Sequence, residues 1–293
     1  MEMTNGIKAD QSVVSMNDLK IVTAYRDLLA RNALDTPEAF FDPQLGEPLD
    51  KPGLASWRER RRIDLDDEGR TRTFYLKRFT NAPATARREI RRAGCDAKSV
   101  AGIEWGWMRK LAGLGIPCAE PVALCEERVY GYPQRSAVLM AAVPGQSLEA
   151  WVRGWNATDR AIIRGLFQPL SEMIAALHEA GIVHRDLYLS HIFFDAQAPV
   201  EISLRLIDLQ RMFQPKTMMR RWIVKDLAAL NYSTPWHIVS KTDRIRWLKM
   251  YLDMPRLHGH GRRLLQRVVS KTERIGRHDA RKAKRRARED AKQ

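Results

Sequence analysis

The stretch Gly181-Ile182-Val183-His184-Arg185-Asp186-Leu187-Tyr188-Leu189-Ser190-His191-Ile192-Phe193-Phe194 decides how this chain is read. A short apolar step leads into His184-Arg185-Asp186, and His191 precedes a second apolar run. Further on, Leu204-Arg205-Leu206-Ile207-Asp208-Leu209-Gln210 repeats the scheme. Short apolar runs of this kind read as buried strands. The sequence therefore predicts two carboxylates, Asp186 and Asp208, delivered at the ends of neighbouring strands. One such group can orient and deprotonate a hydroxyl. The other can hold Mg²⁺ on a nucleotide.

Upstream, Thr158 is placed to cap a helix that runs to Ala180, with Ile163, Phe167, Leu170, Ile174 and Leu177 as its buried stripe. Pro169 lies inside it, so a kink is expected, and Gly181 ends it. Ala137–Gly145 is apolar and closes on Pro144-Gly145. Residues before Pro144 read mainly as sheet and those after it mainly as helix, which puts a domain boundary there. Leu54 to Phe79 reads as a β-hairpin turning at Asp66-Asp67-Glu68-Gly69, with Lys77 near the end of its second arm. By itself Lys77 is a lysine on an exposed strand face. Val100, Ile103, Trp107, Leu111 and Leu114 then form a helical stripe, and Glu104 borders its buried side. A carboxylate there requires a cation. Lys77 is the natural partner for Glu104, and Glu89, set among Arg87, Arg88, Arg91 and Arg92, is the competitor. Asn17 to Arg31, with Leu19, Ile21, Val22, Tyr25, Leu28 and Leu29, reads as a short amphipathic helix.

Lysine, glutamate, apolar connector and two aspartates follow one another in the order used by kinases. The expected fold class is α+β: a protein-kinase-like two-lobed fold with an antiparallel-sheet N-lobe and a mainly helical C-lobe. The boundaries are 1–53 for an N-terminal extension, 54–144 for the N-lobe, 145–260 for the C-lobe and 261–293 for a basic C-terminal helix or tail. A cleft between the halves would gather the chemistry. Lys77, held by Glu104, would sit over the α and β phosphates of ATP. The backbone at Ala141–Val143 would meet the adenine edge. Asp186 would accept the hydrogen bond of the acceptor hydroxyl and take its proton late. Asp208 would bind Mg²⁺. His191 stands where protein kinases keep an asparagine, and its imidazole can ligate a divalent ion, hydrogen-bond Asp186 or satisfy a backbone carbonyl. His184 reads as scaffold that bonds the backbone near Asp208. Asp226 is an exposed charge or a brace for the catalytic loop. No GxGxxG precedes Lys77, so a phosphate-covering turn has to come from Lys51–Arg60, with Gly53 or Ser56.

The 293 residues suffice for one large or two small domains with a proper core. No apolar run is long enough to cross a membrane. The first residues show neither a basic region nor an apolar core, so no secretory signal is expected. Three scattered cysteines, Cys95, Cys118 and Cys125, fit a reduced, intracellular setting. With 50 Lys+Arg against 35 Asp+Glu, the net charge of +15 favours polyanionic partners.

The motif Val183-His184-Arg185-Asp186-Leu187-Tyr188-Leu189-Ser190-His191 resembles the HRDxYxxH signature of the lipopolysaccharide kinase (Kdo/WaaP) family. So do Ile207-Asp208-Leu209-Gln210-Arg211, the run from Arg221 to Ser233, Thr73–Phe79, and Glu104-Trp105 followed by Leu114-Gly115-Ile116-Pro117. The resemblance spans Leu54 to Leu252. It implies transfer of the γ-phosphate of ATP, with Mg²⁺, to a heptose or Kdo hydroxyl of the lipopolysaccharide inner core or a related glycolipid. It also implies work in the cytoplasm, peripheral at the inner face of the cytoplasmic membrane. The alternatives are a protein kinase and a non-catalytic kinase-like scaffold on an anionic surface. The basic residues at 87–92 and in the C-terminal tract then serve an anionic bilayer or glycolipid. No specific nucleic acid is expected. Asp208-Leu209-Gln210 departs from Asp-Phe-Gly, which argues against glycine-mediated switching.

Overall fold

The computed structural model describes residues 12–290 apart from 17, 50–52, 130–131, 155–159 and 199–203. The chain forms two compact units. One comprises the residues up to Val143 together with Asp208–Gln210; the other comprises Pro144–Ile207 and Arg211 onward. The sheet-based first unit and the mainly helical second unit make up the α+β class that the sequence predicts.

In the first unit the strands are β1 (Val13–Met16), β2 (Leu19–Val22), β3 (Glu47–Pro48), β4 (Arg58–Asp67), β5 (Arg70–Thr80), β6 (Pro121–Val129) and β7 (Tyr132–Ala141). They pair antiparallel in the order β1-β2-β6-β7-β5-β4-β3. The helices are α1 (Arg26–Arg31), α2 (Ala84–Arg92) and α3 (Val100–Gly113). Glu68 and Gly69 both take positive φ between Asp67 and Arg70, so the β4–β5 hairpin closes on a two-residue turn. Ser99 caps α3 by accepting from the Gly102 amide at 2.9 Å. Trp107, Ile103, Met108 and Leu111 of α3 are buried in the core.

The helix expected over Asn17–Arg31 is corrected. Leu19–Val22 is a strand paired with β6, Leu19 opposite Cys125 and Ile21 opposite Ala123, and only Arg26–Arg31 is α-helical. Two periods overlap in this stretch. Leu19 and Ile21 alternate, while Val22, Tyr25, Leu28 and Leu29 follow helical spacing, and pairing to an open sheet edge decides for the strand.

The second unit carries β8 (Gln146–Ser147), α4 (Leu148–Arg153), α5 (Arg160–Gly165), α6 (Phe167–Glu179), β9 (Ile192–Phe194), β10 (Leu204–Leu206), α7 (Met219–Ser233), α8 (Lys241–Tyr251) and α9 (Gly259–Asp290). The long helix expected from Thr158 is two helices, parted at Leu166. Pro169 therefore falls in the first turn of α6, where its missing N–H is no loss. The Thr158 cap lies outside the described residues. The tract at 261–290 continues as one helix with the rest of α9.

Gly145 has φ +81°, and a Cβ there would lie 2.0 Å from the Phe194 carbonyl oxygen on β9. Only glycine fits so close an approach. Gly145→Ala is expected to cost at least about 2 kcal/mol in urea unfolding, and an unchanged midpoint would contradict this packing.

Candidate active site

The first unit supplies a lysine between two carboxylates. Lys77 on β5 donates from Nζ to both Glu104 oxygens, at 2.7 and 2.8 Å, and to Asp208 Oδ1 at 3.2 Å. Glu104 is 1% exposed among the apolar residues of α3. A bare carboxylate could not stay there, and a short two-oxygen bond to an ammonium compensates it. Glu89 instead faces Arg92 on its own helix, at 3.9 Å. Burial alone would lower the Lys77 pKa. Glu104 and then Asp208 outweigh burial, with Arg60 opposing them, and the ammonium is held above its ordinary value.

Arg60 was not singled out from the sequence. In the β4–β5 register it stands directly opposite Lys77. Like charges at such a pair repel unless a carboxylate divides them. Asp208 does so, with its Oδ2 at 3.7 Å from Arg60. Next to it, Arg58 donates to the Gln210 side chain. The two-residue turn and an alternating hairpin contained the signal: counting back from Glu68-Gly69 pairs Lys77 with Arg60.

Glu104→Gln is expected to cost about 3 kcal/mol at neutral pH, because a buried cation loses the nearer of its two carboxylates. A lysine raised above its ordinary 10.5 contributes stability that is whole below that pH and fades as pH climbs through the higher folded value. The stability gap between wild type and Glu104→Gln should therefore narrow above that pH. Denaturant titrations giving a pH-independent gap would rule out the ion pair as its source.

Of the predicted adenine-edge backbone, the Ala141 amide donates to Glu120 O and the Ala142 amide to Thr73 O, each at 3.0 Å. The Ala141 N–H is thus used in pairing within the first unit. Among the described residues the Val143 amide donates no hydrogen bond to the backbone.

The second unit holds the loop of Asp186. This aspartate does not end a strand as expected. Val183 makes an isolated bridge to Phe213, and the chain then leaves extended pairing, with Arg185 at φ +71°. Asp226 on α7, wholly buried, accepts from the His184 amide at 2.7 Å and the Arg185 amide at 2.8 Å. Of the two readings of Asp226, the brace is the one the structure adopts. Behind it, His178 of α6 lies 3.4 Å from Asp226, and its Nδ1 is 2.8 Å from the Tyr251 hydroxyl of α8. Burial and then the Asp226 charge push the Tyr251 pKa up. His184 bonds the Ile207 carbonyl through Nε2 at 3.1 Å, beside Asp208 in the chain.

Asp186 itself receives one guanidinium nitrogen of Arg211 on both oxygens, at 2.8 and 2.9 Å. No role for Arg211 was read from the sequence. It sits in the turn after Asp208, and only the folded path brings it back. His191 places Nδ1 2.7 Å from the Asp186 carbonyl oxygen. A carbonyl can only accept, so Nδ1 carries the proton and the neutral ring's lone pair lies on Nε2. Asp208, like Arg185, adopts a positive φ, here +57°. Such conformations in non-glycine residues cluster where function over-determines the backbone. The turn expected over Lys51–Arg60 is described only from residue 53, where Gly53 has φ +78°. Among the described residues no group of three or more His, Cys, Asp or Glu side chains forms a metal cage.

A family model described as the lipopolysaccharide kinase (Kdo/WaaP) family matches residues 57–251. The lipopolysaccharide core heptose(I) kinase WaaP of Pseudomonas aeruginosa is 29% identical over 158 residues, which cover 52% of this chain and 59% of that protein. Its namesake from Escherichia coli K12 is 28% identical over 180 residues, covering 59% and 68%. The chain thus spans about three-fifths of the length of the first of these relatives. In fold it is similar to a solved structure of WaaP in complex with acyl carrier protein, with a TM-score of 0.62 over 91% of this chain and 98% of that one, at 24% identity.

Proposed function

Because the chain belongs to the lipopolysaccharide kinase (Kdo/WaaP) family, we propose that it is an ATP-dependent kinase that phosphorylates a heptose or Kdo hydroxyl of the lipopolysaccharide inner core. Heptose is favoured, since the matched relatives bear that name. The observation that carries the reading is the Lys77 ammonium held at 2.7 Å by buried Glu104 and at 3.2 Å by Asp208. A lysine fixed between two carboxylates is the arrangement that aligns nucleotide phosphates in kinases.

In this reading the acceptor oxygen forms a bond to the γ-phosphorus as the bond to the ADP oxygen breaks. Asp186 orients that hydroxyl and receives its proton, and ADP leaves with the electron pair. Arg211 balances the Asp186 charge before the hydroxyl arrives. His191 and Asp226 hold the backbone that presents Asp186. Lys77 and Arg60 face the phosphates, and the Val143 amide meets the adenine edge.

The donor set suits Mg²⁺, which takes one or two carboxylates and completes its shell with phosphate oxygens and water. Asp208 would hold it, and it would neutralise charge on the phosphates. His191 offers nitrogen to an ion that prefers oxygen, so its assignment here is to orient Asp186 rather than to ligate the metal.

Among the described residues no helix is long and apolar enough to cross a membrane. Peripheral attachment at the inner face of the cytoplasmic membrane, through basic side chains such as those of α2 and α9, agrees with the +15 charge. The test is transfer of radiolabel from γ-labelled ATP to lipopolysaccharide core in the presence of Mg²⁺. Label in core heptose or Kdo is expected. Label only in protein serine, threonine or tyrosine, or none at all, would overturn the reading.

A further inference from the structure

A groove of about 520 Å³ runs between α7 and α9, within the second unit. Arg221, Trp222 and Lys225 of α7 line one wall, and Arg267, Lys271 and Arg274 of α9 line the other. The two α7 cations are one turn apart, and the three on α9 follow one another by four and three residues, so each set projects from a single side of its helix.

Like charges at these spacings repel one another. Elsewhere this chain relieves such crowding with acids: Asp243 takes Arg246, Glu149 takes Arg153, and Glu273 takes Arg277. In the groove, among the described residues, no carboxylate lies within 4.0 Å of any of the five cations. The walls are set by packing instead. Asn231 of α7 donates to the Thr272 hydroxyl of α9 at 2.9 Å, and the Tyr232 ring packs at Gly276. Trp222 supplies an aromatic surface, with Lys225 Nζ 5.5 Å and the Arg185 guanidinium 5.8 Å from its ring centre.

The groove also borders the catalytic loop. Lys225 precedes Asp226, which holds the His184 and Arg185 amides. Burial, and then the charges of Arg211 and Arg185, keep the Lys225 pKa below its usual value. Lys225 therefore lies within Coulombic reach of Arg211 and Arg185, with Asp186 and Asp226 acting in the opposite sense.

We propose that this groove is an anion site for a phosphate group carried by the acceptor, bound near the hydroxyl that Asp186 addresses. Five cations on two packed helices, none in an ion pair with a carboxylate among the described residues, match the charge and the acceptor oxygens of a phosphate monoester or pyrophosphate. The assignment rests on the kinase reading for its link to Asp186, whereas the anion site itself does not.

Inorganic pyrophosphate, titrated calorimetrically into the full chain, serves as the probe. The triple variant Arg267→Gln/Lys271→Gln/Arg274→Gln, checked for folding by circular dichroism, is expected to weaken its binding about tenfold or more. Mg-ATP affinity should change by less than about twofold in the same variant. Trp222→Phe should lose the pyrophosphate-induced change in tryptophan emission. Binding of pyrophosphate by the triple variant as tight as by wild type overturns the proposal.

With a phosphate-bearing core acceptor, the triple variant should raise KM about tenfold while kcat holds. An unchanged KM, together with triple-sensitive flotation on phosphatidylcholine vesicles that contain phosphatidic acid, would reassign the groove to a lipid headgroup and overturn the acceptor assignment. Triple-sensitive pyrophosphate binding in a chain that transfers no phosphate would defeat the kinase reading and leave the anion site standing.

Discussion

Asp186→Asn is expected to lower phosphoryl transfer by about 10²–10⁴-fold, the usual contribution of a positioned general base. Mg-ATP affinity should stay within about threefold of wild type, because Asp186 has no part in nucleotide binding. The amide nearly preserves shape, so any loss reports charge and proton affinity rather than volume. It also takes from Arg211 the carboxylate that its guanidinium reaches at 2.8 and 2.9 Å. Arg211→Ala separates the two roles: it should reduce the rate far less, since it removes orientation and leaves the base. Single-turnover rates with saturating ATP make the comparison. A rate for Asp186→Asn within about threefold of wild type would remove Asp186 from the chemistry.

Asp226→Ala should be the most destabilising single change in the second unit. Its carboxylate is wholly buried and accepts two backbone amides at 2.7 and 2.8 Å, with His178 behind it. Hydrogen bonds to a charged group contribute about 1.5–3 kcal/mol each, and the amides of His184 and Arg185 would lose their acceptor inside the protein. A loss of about 3–5 kcal/mol in urea unfolding follows. Asp226→Asn retains one accepting oxygen and should lie between alanine and wild type. Turnover of the surviving folded fraction should also fall, because Arg185 is held at positive φ directly before Asp186. Full stability in Asp226→Ala would show that the loop has another brace.

Much of this was legible from residue types and their order. The hairpin was visible in Asp66-Asp67-Glu68-Gly69 and its alternating arms, and α3 in its apolar stripe. The requirement that Glu104 find a cation followed from burying a carboxylate among leucine, tryptophan and methionine, and Lys77 meets it. The stretch from Leu19 to Val22 was misread because four residues fit two periods, and the vacant edge of β6 settled which one formed. Asp186 was expected at a strand end, yet a single bridge at Val183 and a left-handed Arg185 place it in a loop.

Sequence alone determined which reacting groups exist, in what order, and whether helix or strand carries most of them, because spacing, turn residues and the cost of a buried charge are local matters. Beyond the pair of Lys77 and Glu104, tertiary structure alone decided which cation meets which carboxylate. Arg60 and Lys77 share Asp208, and Arg211 takes Asp186, only after strand register and loop path bring distant segments within a few ångströms. Coulomb attraction and hydrogen bonding at that range depend on position in space, which no count along the chain supplies.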